Sequence, residues 1–206
     1  MKLVDTDIVE YWPAEVLLGV AHISEHLAVD LLSDEELKAF NGFTHNARKN
    51  EFLSARHLFW FLLEQAEIKP EQVTLRKEES GKPFGEYQGK KIYVSFSHSP
   101  EKVFCAISTK TDIGLDVEPV GRNVNQRLLK RILNEAEWET LQHEPLLKLW
   151  TIKEAAVKNL GTGLRTNLNE LTIKQQGKQY IVEFNDNKRF DICSFRHSQH
   201  QITLAF

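Results

Sequence analysis

The chain is poor in several things. Its 206 residues include only two cysteines, one methionine and six prolines. Cys105 and Cys193 are too few for a disulfide framework or a thiolate zinc site. Both lie in apolar, strand-like runs, so each reads as a small buried hydrophobe. No apolar run approaches the roughly 20 residues that cross a bilayer. The opening stretch, Met1 to Trp12, has acids among its first residues and lacks the apolar centre of a secretion signal. The expectation is a soluble, cytoplasmic protein without a membrane partner. There is also no excess of one charge. Lys and Arg number 26 against 29 Asp and Glu, a net charge of −3, which argues against a nucleic-acid partner. What is present, 41% hydrophobic residues, supplies a core for one globular domain or two small ones.

Periodicity divides this material into helices and strands. Asp7 to Trp12 alternates like a strand before Pro13. Ser33-Asp34-Glu35-Glu36 is a capping box that opens a helix toward Phe40. Asn46 to Glu67 reads as a long helix, dense in core positions such as Phe52, Leu58, Phe59 and Leu62. Arg48, Lys49 and Arg56 lie on its polar side. Val73 to Arg76 is strand-like, and Glu79 to Gly85 is a turn-rich loop. Lys91–Ser97, Val103–Ser108 and Ile113–Val117 read as strands. Asn125 to Leu141 reads as a helix, and Leu149 to Leu164 as another that runs into Gly161 and Gly163. Four short strand-like runs follow, ending at Phe206.

Two pentapeptides echo each other. Ser95-Phe96-Ser97-His98-Ser99 lines up with Ser194-Phe195-Arg196-His197-Ser198, 99 positions later. At that offset Ala106 meets Ala205, and the helix around Glu154 falls on the one around Ala55. The repeat predicts an α+β pseudo-dimer of two similar halves, each with a small antiparallel sheet and a long packed helix. The halves are set at 1–109 and 110–206, and a cleft between them is the natural ligand site. The other reading is a single α+β domain with two similar hairpins.

The acidic motif of the second half and the basic residues of the first are expected to meet in this cleft. Asp116 and Glu118, two apart on a strand, share one face while Leu115 and Val117 point inward. Two carboxylates side by side repel unless a cation lies between them. An edge strand with a solvated acidic face fits the same pattern. Glu154 and Lys158, four apart, share one helix face. They read either as an ordinary surface pair or as an acid and a phosphate-binding lysine. Asp116, Glu118 and Glu154 together make a set of hard oxygen ligands suited to Mg²⁺ or Mn²⁺. Lys158 can reach a phosphate that shares the ion, the arrangement of phosphoryl-transfer sites.

Ile113-Gly114-Leu115-Asp116-Val117-Glu118 followed by Trp150-Thr151-Ile152-Lys153-Glu154-Ala155-Ala156-Val157-Lys158 resembles the paired signature of the 4′-phosphopantetheinyl transferases. The likeness is to the larger, surfactin-synthetase-activating type, whose members are internal pseudo-dimers. Arg48 to Arg56, Gly81-Lys82-Pro83 and Ser95 to Ser99 resemble that family's basic helix, Gly-Lys-Pro loop and Ser-His-Ser turn. The resemblance spans roughly residues 33 to 165. It implies transfer of the phosphopantetheine arm of coenzyme A to a serine of an apo acyl or peptidyl carrier protein. Adenosine 3′,5′-bisphosphate would be released. Asp116, Glu118 and Glu154 would hold Mg²⁺, with Glu154 also taking the serine proton. Asp116, Glu154 and Lys158 would form the catalytic set. Lys158, Ser97, His98 and Ser99 would meet phosphate oxygens, and Arg48, Arg56 and Lys82 the 3′-phosphate. Where some members of that family carry extra lysines just before the first long helix, this chain has Asp34, Glu35, Glu36 and a single Lys38. A monomer suffices, because both walls of the cleft come from one chain. The alternative is a non-catalytic coenzyme A or carrier-protein binding module of the same fold, and a hydrolase of another pyrophosphate is a third reading. Arg122, Arg127, Lys130 and Arg131 are expected to face the acidic carrier.

Overall fold

Alternating apolar residues close into two antiparallel sheets. The structure, a computed structural model, describes residues 1–125, 127, 132–185 and 188–206. The first sheet contains β1 (Lys2–Leu3), β2 (Val16–His22), β3 (Val73–Lys77), β4 (Pro83–Tyr87), β5 (Lys90–His98) and β6 (Lys102–Ser108). Its order is β1-β2-β6-β5-β4-β3. The second contains β7 (Gly114–Pro119), β8 (Leu171–Gln176), β9 (Gln179–Phe184), β10 (Lys188–His197) and β11 (His200–Ala205), in the order β7-β11-β10-β9-β8. The described helices are α1 (Asp34–Gly42), α2 (Asn46–Gln65), α3 (Glu135–Leu141) and α4 (Leu146–Leu160). The fold is α+β, with one sheet and one long helix in each half.

Three buried layers hold these parts. Helix α2 packs Leu58, Phe59, Leu62 and Leu63 on Ile92, Val94, Cys105 and Ile107 of the first sheet. Helix α4 packs Ile152, Ala155 and Ala156 on Val182, Ile192 and Ala205 of the second. Between the sheets, Leu18, Val20 and Phe104 meet Leu115, Val117, Ile202 and Leu204. Each fully buried Leu or Phe stabilises the fold by roughly 1.5–3 kcal/mol. Both cysteines are buried, as expected.

β7 is an edge strand, and an edge needs partners for its free amides. Here the first half supplies them. Ser95 Oγ accepts from Leu115 N at 2.8 Å, and Ser97 Oγ accepts from Val117 N at 3.0 Å. Gly114 lets β7 approach α4 closely, because a Cβ there would lie 2.0 Å from the Ala155 carbonyl oxygen. Gly161 ends α4 in the left-handed region, φ 72°, where the helix stop was expected.

Some expectations shift. Asp7 to Trp12 forms turns rather than a strand, with Tyr11 at φ 65° and Ile8 exposed. The strand lies further on, at Val16–His22, and the loop expected to run to Gly85 gives way to β4 at Pro83. The helix expected over 125–141 has its described part at α3, opened by Asn134 and Glu137 as a capping box. Leu128, Leu129, Lys130 and Arg131 lie outside the described residues.

The repeat is offset by 98, not 99. Ser95 pairs with Ala106 in the first hairpin, and Cys193 with Leu204 in the second, each 98 positions further on. The difference of one reverses faces. Phe96 packs toward α2, whereas Phe195 packs between the sheets against Trp12 at 5.8 Å between ring centroids. The matching letters are therefore not matching positions, although the two halves share their architecture.

Candidate functional site

The edge of β7 and the face of α4 form one wall of a cavity of about 1250 Å³ between the halves. Asp116, Glu118, Arg122, Trp150, Glu154 and Lys158 line that wall. Arg48, Glu51, Ser97, His98 and Ser99 line the other. The strand and the helix, distant in sequence, thus bring Asp116 and Glu154 to one place.

Lys158 is fixed by four acceptors. Its Nζ donates to Asp116 Oδ1 at 2.8 Å, Leu115 O at 2.9 Å, Ser97 Oγ at 3.2 Å and Phe96 O at 3.4 Å. The lysine therefore neutralises Asp116 and also satisfies a carbonyl on the open edge of β7. Asp116 is buried, and its Oδ2 has no hydrogen-bond partner among the described residues. Glu118 pairs with Arg122, whose guanidinium lies 5.7 Å from the centre of the Trp150 ring. Burial pushes the Glu154 carboxyl above its ordinary range, the charge of Asp116 adds to this, and Lys158 and Arg122 oppose it.

Among the described residues, no three acidic, histidine or cysteine side chains converge closely enough as they stand to hold a metal ion. Two of the three expected ligands are occupied by basic side chains instead. The donor set nonetheless fits a hard divalent cation. Asp116 Oδ2 is a buried anionic oxygen without a partner among the described residues, and Glu154 is a second carboxylate that feels its charge.

The opposite wall is more heavily engaged than its motif implied. Ser97 Oγ, besides accepting from β7, lies 3.5 Å from Asp116 Oδ1. His200 Nδ1 is 2.7 Å from the Ser198 carbonyl, which can only accept, so that nitrogen carries the proton. His200 Nε2 lies 3.2 Å from Ser99 Oγ, whose hydroxyl donates to the Lys102 carbonyl at 3.5 Å. Ser99 therefore presents lone pairs to the cavity rather than a donor. His98 is half exposed, with Nδ1 3.6 Å from Glu51 Oε1. Glu51 also pairs with Arg48.

Two expected phosphate contacts are not brought to this cavity. Lys82 is buried and donates to the Asp112 carboxylate and to the Asn159 carbonyl. Burial lowers its pKa, and Asp112 opposes the shift. It ties the two halves together. Arg56 lies in a separate pocket of about 370 Å³ with Arg76 and Lys77. There it donates to Glu36 at 2.8 Å and stacks 3.9 Å from the centre of the Phe52 ring. Burial lowers its pKa as well. Arg127, one of the residues expected to face a carrier, is exposed.

Sequence reasoning passed over Lys153, the neighbour of Glu154. Its ammonium is fully buried and donates to Glu137 at 2.7 Å, Leu171 O at 2.7 Å and Leu168 O at 3.0 Å. Glu137 in turn accepts from Ile173 N at 2.6 Å. The pair fixes the rotation of α4 about its axis. A lysine between Ile152 and Glu154 on an apolar helix was the signal available.

The chain is similar to several known proteins. Residues 112–205 match the family model described as the 4′-phosphopantetheinyl transferase superfamily. The 4′-phosphopantetheinyl transferase gsp of Aneurinibacillus migulanus is 30% identical over 136 residues, 63% of this chain and 55% of that protein. The 4′-phosphopantetheinyl transferase HetI of Nostoc sp. is 29% identical over 160 residues, 72% of this chain and 67% of that protein. A holo-[acyl-carrier-protein] synthase of Photorhabdus laumondii is 49% identical over 57 residues, 25% of this chain and 45% of that protein. The chain thus spans between 45% and 67% of the length of these relatives. The stretch matched by the family model, residues 112–205, is the one that carries Asp116, Glu118, Glu154 and Lys158.

Proposed function

We propose that the protein is a 4′-phosphopantetheinyl transferase. It moves the phosphopantetheine arm of coenzyme A onto a serine hydroxyl of an apo carrier protein. The observation that carries this reading is the buried Asp116 Oδ2, without a partner among the described residues, beside Glu154 in a cavity also lined by Lys158 and His98. The two units, 1–109 and 110–206, supply one wall each, so a single chain suffices for a site.

The serine oxygen attacks the phosphorus that bears the pantetheine arm. The bond from that phosphorus to the bridging oxygen breaks, and adenosine 3′,5′-bisphosphate leaves. Glu154, whose carboxyl already holds its proton more tightly than usual, takes the serine proton directly or through water. Lys158 holds the pyrophosphate and stabilises the charge on the leaving oxygen. His98 and Arg48, on the opposite wall, hold phosphate oxygens. Asp116, Glu118 and Glu154 would hold Mg²⁺ or Mn²⁺, which neutralises phosphate charge when bound.

The test is incubation with coenzyme A, Mg²⁺ and apo carrier proteins of several kinds, read by mass spectrometry. The expected result is a gain of roughly 340 Da on the carrier, the mass of the covalently attached arm. Chelation should abolish it. No gain on any carrier would overturn the reading.

A further inference from the structure

Each carboxylate that the proposed cation needs is tied to a basic side chain or repelled by a neighbour. Lys158 lies on Asp116, and Arg122 lies on Glu118. Glu154 is within the electrostatic reach of Asp116, Lys158 and Arg122 together. Arg122 is therefore near two of the three acids while its guanidinium rests against Trp150. Its side chain is 45% exposed, against 15% for Glu118, so it can swing away without opening the core.

Resting on the transferase reading, we propose that Arg122 is an exchangeable counter-ion. It occupies Glu118 in the empty site and passes to a phosphate oxygen of the ligand when a divalent cation takes Glu118. The argument is one of charge. A cation arriving at Glu118 competes with the guanidinium already there, so the metal alone binds weakly. Once displaced, Arg122 is a bidentate donor without an acceptor, at the mouth of a cavity built for a pyrophosphate. An anionic ligand gains that donor only if the metal is present. Metal and anion thus bind as a coupled pair, each raising the affinity for the other by the same factor. Trp150 supplies a surface along which the guanidinium can turn while keeping its cation–π contact. Arg122 is a positioning residue for Glu118 and a direct contact for the anion in turn.

The experiment measures binding, not turnover. Mn²⁺ affinity is read by electron paramagnetic resonance, with and without coenzyme A, and coenzyme A affinity by calorimetry, with and without Mn²⁺. In the wild type each should tighten the other by about tenfold or more, within the usual range of site coupling. In Arg122→Gln, Mn²⁺ alone should bind several-fold more tightly, because Glu118 is released, and the coupling should fall below about threefold. Arg122→Lys, which keeps the charge, should retain most of the coupling. Equal coupling in wild type and Arg122→Gln overturns the role of Arg122 and leaves the transferase reading intact. A wild type that binds neither Mn²⁺ nor coenzyme A overturns the transferase reading instead.

Discussion

The two halves carry the same arrangement, a hairpin flanked by one more strand and covered by a long helix, and only one of them carries the acidic strand. Following the strand pairing, Gly19 and Ala21 of β2 stand where Asp116 and Glu118 stand on β7. Both strands turn these positions toward their helix. Under α2 the layer is filled by Leu58, Leu62 and Leu63, whereas under α4 it contains Thr151, Thr203 and the fully buried Lys153. Thr151 Oγ1 and Thr203 Oγ1 are 2.9 Å apart, and Thr203 Oγ1 is 2.8 Å from Ser194 Oγ. The first half is packed for stability. The second accepts Thr151, Thr203 and Lys153 under its helix, each with hydrogen-bond partners. The comparison teaches that the chemistry depends on a few side chains and on the neighbouring half, rather than on the fold of either half.

The sharpest way to probe this contrast is a methyl group. At Gly114 an added Cβ meets the backbone of α4, at 2.0 Å from Ala155 O and 2.4 Å from Asn159 N. At Gly19 it meets only the side chains of Leu58 and Leu62, at 2.9 and 3.0 Å. Gly114→Ala should cost more than about 4 kcal/mol and leave little folded protein. Gly19→Ala should cost about 1–3 kcal/mol. Urea denaturation checks both, and equal losses would contradict the difference in packing.

The next effect belongs to the buried ion pair. Lys153→Met leaves Glu137 charged and buried without its partner, at a cost of about 3–5 kcal/mol. Adding Glu137→Leu should recover a large part of that loss, measured by the same denaturation. In the first half the corresponding layer is apolar, and Leu62→Ala removes apolar contacts alone, for about 2–5 kcal/mol.

Glu154→Gln acts on chemistry. It removes the proton acceptor and should lower turnover by roughly 10²–10⁴-fold. The carrier-modification rate measures this, with coenzyme A affinity as the control for binding. The smallest effect is on stability. In the folded protein Glu154 holds its proton to higher pH than the ordinary value of 4.5, so the folded state binds more protons than the unfolded chain in that window. The contribution of Glu154 to stability is therefore present at low pH and is lost as pH rises through the folded pKa. In chelator, Glu154→Gln should melt higher than wild type near neutral pH, and the two should converge at about pH 4. A gap of the same size at both ends would deny that the carboxylate is under strain from burial and from Asp116.

Much of the architecture was legible. The long helix α2, the strands around Ser97 and Asp116, the capping box at Ser33 and the glycine stop of α4 were all readable, because each rests on local periodicity or capping chemistry. That Asp116 and Glu118 share a strand face, and Glu154 and Lys158 a helix face, was legible from spacing, whereas the meeting of the two elements was implied only by the family resemblance. What escaped depends on residues far away in sequence. Lys82, beside Gly81 and Pro83, has the local signature of a solvated turn, yet chain 77 residues later covers it and gives it a carbonyl. Arg56 was placed on the polar side of its helix, and α1 folds back to bury it against Glu36. The strand at Val16–His22 is an unbroken apolar run without alternation, a pattern that periodicity does not assign to strand or helix. The Ser-Phe-His match invited an offset that was wrong by one, because letters do not record which face of a strand they occupy.

The two serine hydroxyls along β7 have a consequence for the molecule as an assembly. They complete a border that belongs to the other half, standing in for a missing neighbour strand. Residues 110–206 produced alone would leave that border bare, with the main-chain amides of Leu115 and Val117 open to another copy beside the apolar layer that the first half otherwise covers. Such a fragment should form strand-to-strand aggregates, and the acidic strand would be the seam along which they grow.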